Sequence, residues 1–277
     1  MIDPADPDQL SRLLRQKGIE PKHSLGQNFL VDPEIRDRVA DAAGLTAEDD
    51  VLEVGAGAGA LTVALARRCR RMVAVELDRR LIAVLREVAG GLSNVEVVEA
   101  DILRFDQSHA FPHGGHVVAG NIPYNLTGAL IRKLLDDEPR PRRLSLVVQK
   151  EVAERWTASG GASLATVAVQ VFATARALFT IPAAAFMPPP AVDSACVVLE
   201  VRERPAVEVP DLNDFFRLVE AVFQFRRKQL GGALGRISGI GSTSAAARLR
   251  EAGIDPARRP QTLELQEWEA VYRAFKS

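Results

Sequence analysis

Val51-Leu52-Glu53-Val54-Gly55-Ala56-Gly57-Ala58-Gly59-Ala60-Leu61-Thr62 reads as a short strand running into a glycine turn that opens a helix. Residues 51–54 are the strand, and the Leu/Val/Ala spacing beyond Gly59 predicts a helix over 60–69. Glycines in such a turn permit positive φ and let the backbone pass close to a ligand. Outward from this stretch the alternation continues. Strands are predicted at 72–77, 94–102, 116–120 and 144–148, with helices at 79–88, 127–135 and 150–158. Two further strands, near 167–173 and 194–201, end the pattern. Strands alternating with helices at this spacing imply a mostly parallel sheet covered on both faces.

Upstream, 7–17 and 33–43 read as two short helices joined by the polar connection Lys22-His23-Ser24-Leu25-Gly26-Gln27-Asn28. Downstream of Glu203-Arg204-Pro205 the character changes. Residues 211–225, 227–237, 244–252 and 264–275 are helical patterns without a strand between them, broken at Gly239-Ile240-Gly241 and Asp255-Pro256. The expected organisation is an α/β domain over 1–205 and a small all-helical domain over 206–277.

The composition is that of a globular protein: 277 residues, 47% apolar and 26% charged, which excludes a disordered chain. Cys69 and Cys196 lie far apart and match no metal spacing, so both read as core thiols in a reducing compartment. Met1-Ile2-Asp3-Pro4-Ala5-Asp6 has neither a basic nor an apolar leader segment, and a cytoplasmic location is expected. Residues 163–186 are long and apolar enough to raise the question of a membrane span. Gln170, Arg176, Pro182 and the β-branched content favour two buried strands joined by a turn. Net charge is −1, with +3 over 202–277, so a nucleic-acid partner would have to be met by a local basic face.

The glycine turn alone is ambiguous. Gly55, Gly57 and Ala60 also satisfy a loose dinucleotide pattern, and Glu76 lies about 20 residues on. Three polar residues point instead to S-adenosylmethionine, which has no pyrophosphate. Glu76 ends the second strand, where a carboxylate can accept from ribose hydroxyls. Asp101 ends the third, placed for an adenine amino group, and Asn121 ends the fourth. Open parallel sheets bind ligands at these carboxyl ends. Asp101 taken singly could equally be a turn cap.

Asn121-Ile122-Pro123-Tyr124 specifies the chemistry. An adenine amino nitrogen is a poor nucleophile, because its lone pair is delocalised into the ring. Acceptors against both N–H bonds, the Asn121 side-chain carbonyl and the Ile122 backbone carbonyl, favour a pyramidal nitrogen. Pro123 stiffens the turn, and Tyr124 offers a ring on which a base can stack. A second segment, Phe186-Met187-Pro188-Pro189-Pro190, holds a stiff extended backbone that could present Phe186 to the other face of the base. The plainer reading is a proline-rich connection with a core phenylalanine.

Taken together these stretches resemble a known family. Leu25-Gly26-Gln27-Asn28-Phe29-Leu30, Glu53-Val54-Gly55-Ala56-Gly57, the Asn121 tetrapeptide, Gln149-Lys150-Glu151-Val152-Ala153-Glu154-Arg155 and Phe186-Met187-Pro188-Pro189-Pro190-Ala191-Val192-Asp193-Ser194 are similar, in this order, to the KsgA-type ribosomal RNA adenine dimethyltransferases. Phe223-Gln224-Phe225-Arg226-Arg227-Lys228 and Arg259-Pro260-Gln261-Thr262-Leu263 extend the resemblance over nearly the whole chain. It implies a Rossmann-like class I methyltransferase sheet with a helical C-terminal domain. It implies S-adenosylmethionine as donor, no metal, and dimethylation of two adjacent adenosines near the 3′ end of small-subunit rRNA. The implied partner is rRNA in an assembling small subunit, met by a monomer.

By motif match Asn28, Leu30, Gly55, Glu76, Asp101 and Asn121 would hold the donor, and Tyr124 and Phe186 would sandwich the base. Arg226, Arg227 and Lys228 would meet RNA, unless they are a solvated helix face. The chain departs from the family at Ser159-Gly160-Gly161-Ala162-Ser163, short and uncharged where relatives carry a Tyr-Gly pair and basic residues. It departs again at Ala191, where lysine is usual.

Three other readings compete: a single-adenosine methyltransferase of large-subunit rRNA of the antibiotic-resistance type, a non-enzymatic assembly factor, and a nicotinamide-dependent oxidoreductase. The Phe186–Ser194 and Arg259–Leu263 stretches favour the small-subunit enzyme over the first, and the intact Asn121 tetrapeptide speaks against the second. Thermal-shift measurements separate the third: S-adenosylmethionine is expected to raise the melting temperature and nicotinamide dinucleotide to leave it unchanged, and the reverse result would overturn the donor assignment.

Overall fold

The computed structural model describes residues 2–21, 26–124, 126–161 and 163–276. Of the stretches singled out above, Lys22 to Leu25 and Ala162 lie outside the described residues. Contacts divide the chain into two compact units: Met1–Glu154 with Thr174–Val201, and Arg155–Ala173 with Arg202–Ser277.

The first unit begins with α1 (Pro7–Gln16), β1 (Phe29–Leu30) and α2 (Pro33–Ala42). Both helices start on an aspartate cap followed by proline: Asp6 accepts from the Asp8 and Gln9 amides, and Asp32 from that of Ile35. The alternating region follows as β2 (Asp50–Val54), α3 (Ala60–Ala66), β3 (Arg71–Glu76), α4 (Arg79–Ala89) and β4 (Val95–Glu99). It continues through α5 (Gln107–Ala110), β5 (Val117–Asn121), α6 (Thr127–Asp136), β6 (Arg143–Gln149) and α7 (Lys150–Thr157). Beyond lie α8 (Leu164–Phe172), β7 (Ala173–Ile181), β8 (Phe186–Met187) and β9 (Ser194–Val201).

The seven-stranded sheet has the order β4-β3-β2-β5-β6-β9-β7. Its strands from β4 to β6 are all parallel, and β9 runs antiparallel to β6. The mostly parallel sheet expected from sequence is therefore present, with an antiparallel extension on one side. A separate ribbon pairs β1 with β8, Phe29 opposite Met187 and Leu30 opposite Phe186. Four consecutive residues of β2, from Val51 to Val54, are buried, as strands covered on both faces require.

The strand expected near 167–173 is instead helix α8. Ser163 caps it, accepting the Thr166 amide at 3.1 Å, and six of its nine residues are buried. Burial of this helix outweighs the β-branched composition that suggested a strand. The strand follows it, as β7. At nine residues α8 is far from a membrane span, and among the described residues no helix is long and apolar enough to cross a membrane.

The second unit holds α8 together with α9 (Leu212–Phe223), α10 (Leu230–Ile237), α11 (Gly241–Glu251) and α12 (Leu265–Lys276). Residues 155–173 thus pack with the helical tail rather than with the sheet that precedes them. Phe172 of α8 stacks on Phe216 of α9 at 5.7 Å, and Phe223 meets Trp268 of α12 at 5.5 Å. The loop at Gly160 and Gly161 is stitched to the start of α12, Gly161 N–H donating to Leu263 at 2.7 Å.

At the centre of the sheet β2 and β5 approach closely. A Cβ on Gly120 would lie 2.5 Å from the Val54 carbonyl oxygen. Gly120→Ala is expected to push these strands apart and cost about 1–3 kcal/mol, read as an earlier denaturation midpoint; an unchanged midpoint would contradict this packing.

Candidate active site

The carboxyl ends of β2, β3 and β5, the turn after β4 and the segment leading into β1 enclose one cavity. Asn28, Leu30, Gly55, Glu76, Asp101 and Asn121 all line it, as do Gln27, Glu53, Leu77, Ile102 and Pro123. The six residues expected at the donor site are therefore brought together.

The glycine turn shapes the floor. Gly55, Gly57 and Gly59 have φ of 66°, 59° and 91°, in the left-handed region that favours glycine. A Cβ on Gly57 would come within 3.4 Å of the Phe29 ring. The freed Gly57 N–H donates to Glu76 Oε2 at 2.8 Å, while Leu77 and Asp78 N–H donate to Oε1 at 2.9 and 2.8 Å. A carboxylate has about four acceptor positions, so three are already used. Glu76 can accept one ribose hydroxyl as it stands; accepting both needs the Gly57 bond to be shared. Burial raises its pKa, opposed by the three backbone donors.

Asp101 serves two purposes. Its Oδ1 caps the turn that follows, accepting the Leu103 amide at 3.0 Å, and its side chain still lines the cavity. The turn-cap and ligand-facing readings are compatible here.

Asn121 ends β5, and its Nδ2 donates to the Asn28 backbone carbonyl at 2.8 Å. That bond fixes which way the amide faces and leaves Oδ1 as its acceptor. Ile122 is anchored in the core, 1% exposed, with its N–H on the Val147 carbonyl at 3.0 Å. Tyr124 is half-buried, and its hydroxyl shares a 2.7 Å hydrogen bond with Ser194 Oγ. Burial raises the Tyr124 pKa.

Phe186 departs from expectation. It is 3% exposed and belongs to the apolar cluster containing Leu30, Val39 and Ala185. Pairing of β8 with β1 draws the ring inward, and a ring so covered is not presented to a base in this structure. Arg226, Arg227 and Lys228 are all exposed, on a turn between α9 and α10 rather than on a helix face. Among the described residues no group of three or more His, Cys, Asp or Glu is placed to hold a metal ion.

A family model described as ribosomal RNA adenine dimethylase matches residues 19–275. The chain belongs to this family. Its relatives include the ribosomal RNA small subunit methyltransferase A of Pelotomaculum thermopropionicum, 42% identical over 99% of this chain and 98% of the relative. That of Shouchella clausii is 38% identical over 99% and 96%. Among solved structures, a dimethyladenosine transferase from Plasmodium falciparum matches with a TM-score of 0.70 at 25% identity, covering 88% of this chain and 96% of that one. The 23S rRNA methyltransferase ErmE matches with a TM-score of 0.68 at 30% identity, covering 90% and 100%.

Three residues of this adenine dimethylase family member carry roles that sequence reasoning did not assign. Ser194 holds the Tyr124 hydroxyl, and Asp193 Oδ1 accepts the Ala183 amide at 3.0 Å, which gives Val192-Asp193-Ser194 a physical purpose. The signal was the motif itself, but its partners are distant in the chain. Glu53, within the glycine motif, is 1% exposed and accepts the Thr62 hydroxyl at 2.6 Å. Burial pushes its carboxyl up to about 8, with the charge of Glu76 adding to the shift.

Glu53 therefore keeps its proton in the folded state to about pH 8, whereas an ordinary carboxyl loses it near 4.5. Between those limits the folded state binds more protons than the unfolded one, so this group makes stability fall as pH rises. Glu53→Gln is expected to flatten that fall: its melting temperature should exceed the parent's at pH 8, with the gap narrowing towards pH 5. Parallel pH profiles for the two proteins would refute the assignment.

Proposed function

We propose that this chain is an S-adenosylmethionine-dependent dimethyltransferase acting on N6 of two adjacent adenosines near the 3′ end of small-subunit rRNA, contributing to small-subunit biogenesis. The single observation that carries the chemistry is the Asn121 amide, fixed by Asn28 at the mouth of a cavity that also contains Glu76 and Asp101. The relatives named small-subunit methyltransferases, matched along nearly their whole length, support the substrate.

The cavity suits the donor. The left-handed Gly57 frees an N–H that holds Glu76, and the buried Glu76 carboxylate suits a ligand bearing net positive charge. Glu76 would accept from the ribose, Asp101 from the adenine amino group, and Asn28, Leu30 and Gly55 would border the rest. The donor supplies an electrophilic methyl group on sulfonium sulfur.

The chain's own residues prepare the nucleophile. Asn121 Oδ1 and the Ile122 carbonyl accept from the target amino group and favour a pyramidal nitrogen. Tyr124, held by Ser194, stacks on the base, an interaction worth about 1–3 kcal/mol. No strong general base is required, since a methylated, protonated amine loses its proton to water. Catalysis then rests on positioning and electrostatics. The substrate is rRNA in an assembling small subunit, approached by a single copy of the chain in the cytoplasm, with Arg226, Arg227 and Lys228 contributing phosphate contacts.

A second reading, methylation of large-subunit rRNA, draws on the likeness to ErmE. Labelled S-adenosylmethionine supplied with small and large subunits that lack adenine methylation distinguishes the two. Label is expected in the small subunit; label in neither, or only in the large, would overturn the proposal. Asn121→Ala is expected to abolish transfer while leaving the fold intact, and a near-normal rate would mean the nitrogen is activated by another group.

A further inference from the structure

Asn121 can serve as an acceptor only in one of its two amide orientations. Rotated by half a turn, its NH2 would face the adenine amino group, donor against donor, and Oδ1 would face away. The bond from Nδ2 to the Asn28 carbonyl at 2.8 Å selects the useful orientation. The position of a backbone atom in the N-terminal segment is therefore part of the acceptor site.

What holds Asn28 in place is visible on both sides of it. On the far side Phe29 and Leu30 pair with Met187 and Phe186, and Val31 N–H donates to the Ala185 carbonyl at 2.8 Å. On the near side Gln27 Nε2 donates to Asp78 Oδ2 at 3.0 Å. Asp78 is a firm anchor: 8% exposed, it caps α4 and takes the Arg80 guanidinium at 3.0 and 2.5 Å. The Arg80 and Gln27 donors keep its carboxyl well below the usual range. Its own N–H donates to Glu76 Oε1, so the loop that carries the ribose-facing carboxylate also carries the anchor.

We propose that Gln27 is a positioning residue for methyl transfer: its bond to Asp78 holds residues 26–30 at the point where the Asn28 carbonyl orients the Asn121 amide. This deepens the function proposed above and rests on it. Gln27 touches no reacting atom; it acts through Asn28 on Asn121. The same link connects the loop beside the donor's ribose with the group that activates the acceptor.

The test begins with the parent protein on undermethylated small subunits; absence of transfer there defeats the proposed function and not this inference. Gln27→Ala is then measured for donor affinity by calorimetry and for kcat at saturating donor. A role through Asn121 predicts kcat lower by about tenfold to 100-fold, with donor Kd and subunit KM within about threefold of the parent. Gln27→Glu, which sets two carboxylates face to face, is expected to lose as much. A kcat for Gln27→Ala within about twofold of the parent overturns the proposal, as does a loss carried wholly by donor affinity.

Discussion

The site depends on a reversal of winding at β2. From β2 the chain builds outward through β3 to β4 and then returns to place β5 on the opposite side of β2. Loops leaving adjacent strands at that point must diverge, and the gap between them is the crevice in which open α/β sheets bind ligands. Gly120 lets the two strands meet closely beneath it, since a Cβ there would strike the Val54 carbonyl. The residue after that glycine is Asn121. Tight packing under the crevice and the side chain that lines it are therefore set by consecutive positions of one strand.

Electrostatics follows from the same placement. Glu53, one residue before the end of β2, and Glu76, at the end of β3, are both buried, so each suffers desolvation of its charged form, with Glu76 adding to the shift at Glu53 and Asp78 to that at Glu76. Backbone N–H groups from the glycine turn and from residues 77–78 partly offset this for Glu76, whereas Glu53 has the Thr62 hydroxyl. The buried Glu76 carboxylate is left with unfavourable solvation that a cationic ligand can relieve. Such a cavity is a poor place for a pyrophosphate, which is the physical argument against a dinucleotide despite the glycine spacing.

Strands β2 to β6 and the helices α3, α4, α6 and α7 were legible because each apolar run is bounded by breakers and repeats at a regular interval, whereas the four-residue α5 was not foreseen. The positions of Glu76 and Asn121 at the cavity were legible because a strand end gives a polar residue one direction to face, whereas Asp101, read as ending a strand, lies two residues past the end of β4 in the turn that follows. Where the reading failed, a distant partner made the difference. Leu164–Phe172 carries Thr166, Val167, Val169 and Val171 and looks like a strand, yet Ser163 caps it and packing against α9 keeps it helical. Phe186 stands in a recognisable motif, but whether its ring is open or covered depends on pairing with Phe29–Leu30, which no local pattern encodes. Arg226 to Lys228 fall between two helices whose ends the periodicity placed too close together.

The N-terminal segment shows the same limit from the other side. Gln27 and Asn28 lie in a stretch without period or charge, and nothing local distinguishes a side chain that grips Asp78 from one that faces solvent. Their meaning arises only when the sheet has placed Asp78 at the head of α4 and Asn121 at the tip of β5. Then a side-chain amide, a backbone carbonyl and a second side-chain amide fall into line, Gln27 to Asp78 on one side and Asn121 to Asn28 on the other. An orientation that costs nothing to reverse in a free asparagine becomes fixed by the fold. An acceptor turned into a donor would oppose the reaction proposed for Asn121, so under that proposal the fixing matters as much as the asparagine itself.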